Sequence, residues 1–192
     1  MRKLTVILIG LLTCTFITGQ TYSSEISDKE IYDFLNWLTV SSKKYSEEPK
    51  LKRKQIRHKI LNWDKEVFFT DTIQVRNQPI IADWDCLYQT RYGTDTIFNQ
   101  QDRDFIYQQF AAIRDSIWHN GFSKSKLLTN QKQKRTNIHY YSIPLFSFDK
   151  SYVIVNRKYC CGDECAYGGF YVYKRIGNKK WKFVTVVNPW MS

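Results

Sequence analysis

Residues 159–173, YCCGDECAYGGFYVY, set three cysteines and three glycines between two runs rich in tyrosine and valine. Strand-forming residues on both sides of a glycine-bearing break predict a β-hairpin. Zinc would need four converging Cys or His ligands, usually as two short-spaced pairs. Cys86 is isolated, and His58, His119 and His139 show neither HxxxH nor HExxH spacing. A redox dithiol would use CxxC, but CGDEC is one residue longer, and Asp163 and Glu164 disfavour a neighbouring thiolate. The expectation is therefore a staple: Cys161 bonded to Cys165 across the turn, with Gly162 easing the backbone. Cys86 and Cys160 are then a second pair tying the middle of the chain to the sheet. Adjacent cysteines on a strand point to opposite faces, so Cys160 and Cys161 take different partners.

An oxidising compartment is what such a framework needs, and the first residues, MRKLTVILIGLLTCTFITGQ, predict one. Arg2 and Lys3 precede an apolar run from Leu4 to about Ile17, followed by Thr18 and Gly19. That order describes a secretory signal peptide over residues 1–19, with Gln20 as the mature N-terminus, and the run is short for a membrane span. The alternative is a lipoprotein leader lipidated at Cys14, for which Thr13 is a poor neighbour. The 29 basic residues lose Arg2 and Lys3 with the leader, leaving 27 against 18 acidic ones and a net charge of about +9. The remaining chain, 20–192, has the size of one domain.

Two helices are predicted. Ser27-Asp28-Lys29-Glu30 has capping-box spacing, and Ile31, Phe34, Leu35 and Leu38 follow on one face, with Ser41-Ser42 and Pro49 beyond. Asn99 and Asp102 begin a second, central long helix. Its apolar residues Ile106, Phe110, Ile113 and Ile117 carry it to Asn120-Gly121. Between them, the basic tract from Lys43 to Lys59 reads as a solvated face with a short helix from Ile56 to Trp63, and EVFFTDTIQV reads as extended. Ser123 to Arg135 is polar and lysine-rich, a surface loop. After it, Ile138–Phe148, Tyr152–Cys160, Gly169–Ile176 and Trp181–Val187 form an antiparallel meander with turns at 147–150, the cysteines, and 177–179. Tyr152–Tyr159 has no clean apolar face, which suggests an N-terminal half buried on both sides and a second half projecting from the edge. Helices first and sheet last make an α+β fold, stapled by disulfides.

No GxSxG, SxxK or catalytic-cysteine signature is present, and no catalytic, metal or cofactor-binding residue is assigned. Asp83 and Asp85 in ADWDC could flank a glycosidic bond with Trp84 as a sugar platform, a hydrolase acting on wall polysaccharide. Residues i and i+2 of a strand also share a face, however, so the same pair reads equally well as two solvent-facing carboxylates. Most of the tryptophans, Trp63, Trp84, Trp118, Trp181 and Trp190, read as core. Aromatics interleaved with lysines, as in YVYKRIGNKKWKF, can stack on sugars while the amines meet anions. That makes Trp84, Tyr173, Lys174, Lys180 and Trp181 a candidate binding surface. For an exported basic chain, the expected partner is an anionic glycan, an envelope component or an acidic protein rather than nucleic acid. A binding module is preferred to the hydrolase.

SIPLFSFDKSYVIV, the tyrosine-cysteine-glycine turn, GGFYVYKRIGNKKWKFV and the terminal Trp190-Met191-Ser192, together with NQQDRDFIYQQF, resemble a group of uncharacterised small exported bacterial proteins over residues 95–192. The resemblance implies a secreted or envelope α+β protein and brings no catalytic residues. Asp163-Glu164 and the doubled cysteine depart from its simpler turn, which leaves the pairing open.

Overall fold

In the computed structural model, residues 22–41, 54–63, 97–119, 122, 125–129, 137–162 and 165–192 are described. Their elements run α1 (Asp28–Ser41), β1 (Lys54–Arg57), α2 (Gln100–Ala111), β2 (Ser125–Leu128), β3 (Ile138–Tyr141), β4 (Leu145–Phe146), β5 (Tyr152–Cys160), β6 (Ala166–Gly177) and β7 (Lys180–Met191). The class is mixed α+β, with strands predominating over helices. The strands form one sheet in the order β2-β1-β3-β5-β6-β7, and β4 pairs with the start of β5.

Strand β5 is the centre of this sheet. It pairs antiparallel with β6 without a break from Tyr152↔Lys174 to Cys160↔Ala166, and β3 and β4 take its other edge. Because side chains alternate, Val153 and Val155 face one side and Ile154 the other. Phe34 and Leu35 of α1 join Val153, Val155, Tyr173 and Trp181 in one core. Phe98, just before α2, and Ile106 within it join Ile154, Val172 and Val187 in the second. Helix α1 thus packs on one core, while α2, bonded to the backbone of β4, contributes side chains to both. The first half of β5 is buried on both faces, as its composition suggests. The second half does not project from an edge: β3 flanks it, and Arg157 and Tyr159 are buried.

The cap of α1 forms as its spacing predicts. Glu30 N donates to Ser27 Oγ at 3.3 Å, and that hydroxyl donates to Glu30 Oε2 at 2.9 Å. Asn99 caps α2 with a reciprocal bond to Asp102. This helix ends at Ala111 rather than running to Asn120, so it is shorter than α1. Ile113 and Ile117 leave the helical path because each makes a strand-like bridge, to Ser23 and to Lys59. Trp118 is buried between Tyr22 and Phe122.

Two further expectations are corrected. Lys54–Arg57 is a strand where a helix is read from Ile56, and Ser125–Leu128 is a strand where a loop is read. They pair parallel to one another, and β1 also pairs parallel to β3, so the sheet is mixed rather than a pure meander. Neither segment is long enough to show alternation; each becomes a strand by adding to an edge already present. EVFFTDTIQV, ADWDC and most of the basic tract lie outside the described residues.

Two side chains on α2 hold it to the sheet by backbone mimicry. Gln109 is buried; its Nε2 donates to Phe146 O at 2.7 Å and its Oε1 accepts from Phe146 N at 2.9 Å. Asp102 Oδ1 accepts from Phe148 N at 3.0 Å. At the same end, Lys150 Nζ donates to Glu30 Oε1 at 2.6 Å. Burial pushes the Glu30 carboxyl up, but the bonds from Lys150 and Ser27 and the lysine's charge outweigh it, leaving the group below its ordinary value.

Replacing Gln109 with leucine strands a buried N–H and C=O, each costing roughly 1–3 kcal/mol; urea unfolding is expected to show a loss of about 3 kcal/mol, and a loss no larger than that of an exposed-site control counts against the bridge. For Glu30, the folded carboxyl ionises more readily than the unfolded one, so its contribution is present above the ordinary value of 4.5 and lost as pH falls through the folded value. Both partners are partly exposed, which holds the effect to under about 1 kcal/mol. The stability gap between wild type and Glu30→Gln is expected at neutral pH and should close in acid; a gap independent of pH refutes the assignment.

Candidate functional site

Beyond the reach of the two helices, β5 carries Asn156, Arg157 and Lys158, polar residues in the middle of a sheet. On the face shared with α1, the Arg157 guanidinium lies over the Tyr171 ring at 5.1 Å. Beside it, His139 stacks on Tyr141 and tilts against Tyr159 at a centroid distance of 4.8 Å. Burial, reinforced by Tyr173, Tyr167 and Tyr171, raises the Tyr141 hydroxyl far above the ordinary tyrosine range, so it remains a neutral phenol. Burial and the neighbouring Cys160 also raise Tyr159, whose hydroxyl donates to Asn137 Oδ1 at 2.5 Å. This side is a packed aromatic layer.

The opposite face presents a different arrangement. The register places Arg57 next to Tyr140, Tyr140 opposite Lys158, Lys158 opposite Gly168 and Gly168 opposite Trp190. One row of the sheet therefore reads cation, aromatic, cation, glycine, aromatic. The missing side chain at Gly168 is what connects it. A Cβ there would sit 2.7 Å from Trp190 Cζ2 and 2.6 Å from the Arg157 carbonyl. Without one, the indole folds across the glycine and reaches the Lys158 ammonium, 5.3 Å from the ring centroid. That ammonium is also 5.9 Å from the Tyr140 centroid, and the Arg57 guanidinium lies 6.0 Å from the same ring. Trp190 is 41% exposed, while Tyr140, Lys158 and Arg57 are half-buried. Trp63, stacked on Phe170 and bonded through Nε1 to Ile143 O, packs on the second core.

The cysteine turn secures that end of the sheet. Cys161 and Cys165 are disulfide-bonded with Cα atoms 5.3 Å apart, and Cys161 N donates to Cys165 O at 3.0 Å. Ala166 exchanges two backbone bonds with Ser192, which carries the end of β7 alongside β6. Gly169, at φ 158°, begins a register irregularity that turns Trp190 onto Gly168. Such an arrangement offers a partly exposed indole with a fixed positive charge at its ring, a combination suited to a flat or pyranose ring bearing an anion.

The residues proposed from sequence are not brought together. Tyr173 and Trp181 are buried against Phe34, so they form core rather than binding surface. Their strand positions face α1, and the helix covers them. Lys174 and Lys180 are exposed on the β6–β7 hairpin. Trp84, Asp83 and Asp85 lie outside the described residues, as does Cys86, the expected partner of Cys160; among the described residues Cys160 is a free thiol. Arg57, Tyr140 and Lys158 were missed because they are distant in sequence and adjoin only through pairing. The signal available was Gly168-Gly169 facing a terminal tryptophan. No family model matches the chain, and neither a curated protein nor a solved structure matches it.

Loop-closure entropy for so short a ring is worth about 2 kcal/mol. The double variant Cys161→Ser, Cys165→Ser is expected to lose about that much in urea unfolding. Its amide exchange should quicken at Lys158 and Gly168 before Val153 and Tyr173; uniform quickening refutes the local role.

Proposed function

We propose that this chain is an exported binding module whose row of Arg57, Tyr140, Lys158 and Trp190 takes an anionic, glycan-type partner. The single observation that carries this reading is the exposed Trp190 indole, held over Gly168 with the Lys158 ammonium 5.3 Å from its ring centroid. A sugar ring stacks its C–H face on the indole, and its carboxylate or sulfate meets Lys158 and Arg57. Export rests on the charged, apolar and small order of residues 1–19, and the net positive charge favours an acidic partner.

Titration calorimetry of the purified mature chain with polygalacturonate, and with neutral dextran as control, tests the reading. Polygalacturonate is expected to bind and dextran to bind poorly, with affinity falling as salt rises. Ring stacking of this kind is worth roughly 1–3 kcal/mol, so Trp190→Ala is expected to weaken binding between about fivefold and a hundredfold. Lys158→Gln should weaken it and flatten the salt dependence. Binding that is indifferent to both substitutions overturns the assignment.

A further inference from the structure

The far end of the same sheet carries a second surface that the glycan reading does not use. Strand β5 begins at Tyr152, opposite Lys174, so the β6–β7 hairpin continues past it as two strands. Lys174, Arg175, Ile176, Lys180 and Lys182 are all exposed there, with Ile176 at 62%. The β4–β5 turn lies at this end too, because β5 starts where β6 finishes, and its Phe148 is 55% exposed. Phe148 rests edge-to-face on Phe105 at 5.6 Å, whereas Ile176 stands in water among the cations.

Local acids leave most of that charge uncompensated. Asp33 meets Lys179 at 3.0 Å, and Glu30 meets Lys150. Asp149 is turned to its own loop, accepting from Ser147 Oγ and Ser151 N. Lys174, Arg175, Lys180 and Lys182 form no ion pair among the described residues. Lys174 and Lys182 are direct cross-strand partners, a like-charge pairing that destabilises a bare hairpin and is relieved by an anionic surface. Two of these charged groups rest on rings: the Lys174 ammonium lies over Tyr152 at 5.4 Å and the Arg175 guanidinium over Trp181 at 5.0 Å.

We infer that the β6–β7 hairpin tip docks on an anionic lipid surface, with Ile176 entering the headgroup layer and Lys174, Arg175, Lys180 and Lys182 on the lipid phosphates. Apolar tips ringed by cations suit that interface, where burial of apolar area and attraction to acidic lipids act together. A soluble acidic protein would be served by the charge alone and leaves the exposed Ile176 unexplained.

Co-sedimentation of the mature chain with vesicles of phosphatidylcholine, alone or mixed with phosphatidylglycerol, provides the test. Binding is expected only to the mixed vesicles, with partitioning lowered about fivefold by Lys174→Gln and again by Lys182→Gln. Ile176→Ser is expected to lower it without changing the salt dependence, and Ile176→Trp should gain emission that brominated acyl chains quench. These positions are exposed, and unchanged urea unfolding of each variant separates lost docking from lost folding. Trp190→Ala should leave partitioning intact, so failure here and failure of the glycan reading are distinguishable. Absent binding, equal binding to both vesicles, or binding to soluble polyphosphate with no dependence on Ile176 overturns the inference.

Discussion

The pairing of β5 with β6 is the constraint from which the rest of this molecule follows. Nine consecutive residue pairs run from Tyr152↔Lys174 to Cys160↔Ala166 without a bulge. A one-residue slip would exchange the faces of every side chain on β5, sending Val153 and Val155 toward α2 and Ile154 toward α1. The two cores therefore require this register. So does the row on the polar half, because only Lys158↔Gly168 sets the lysine beside the glycine over which the Trp190 ring lies.

Different interactions hold the register at its two ends. At the cysteine end the staple is covalent, and the exchange of bonds between Ala166 and Ser192 adds β7 to it. At the other end it is polar and tertiary: Gln109 completes the hydrogen bonds of Phe146, Asp102 those of Phe148, and Lys150 reaches Glu30. Helix α2 is capped and tethered through the same carboxylate, so its position and its beginning are coupled. The turn at 177–179 shows the same economy. Its left-handed residue is Lys179, φ 53°, rather than Gly177, and its ammonium is bonded to Asp33 on α1.

The division of β5 explains why one strand serves two ends. Where helices cover it, its side chains are β-branched and its faces are core. Where they do not, Arg157 turns into the aromatic layer and Lys158 lies between Tyr140 and Trp190 on the other face. Aromatic rings let these cations sit in a largely closed sheet, since each charge rests on a π-face.

Local chemistry was legible in the sequence. The Ser27 and Asn99 caps, the apolar stripe of α1, the extent of β5, the turns at 147–150 and 177–179, and the bridge between Cys161 and Cys165 each depend on residues a few positions apart, whose geometry is set by backbone sterics and short-range hydrogen bonds. Long-range pairing was not legible. Nothing within Lys54–Arg57 or Ser125–Leu128 marks a strand, because four residues gain their structure from the edge they join. The periodicity through Ile113 and Ile117 suited a longer helix until bridges to Ser23 and Lys59 competed for those residues. Tyr173 and Trp181 looked like a lysine-flanked platform, and only α1 lying over them made them core. Composition and local spacing thus determined the elements and the staple, whereas tertiary structure alone decided which aromatics meet solvent, because burial depends on what packs above a side chain and not on its neighbours along the chain.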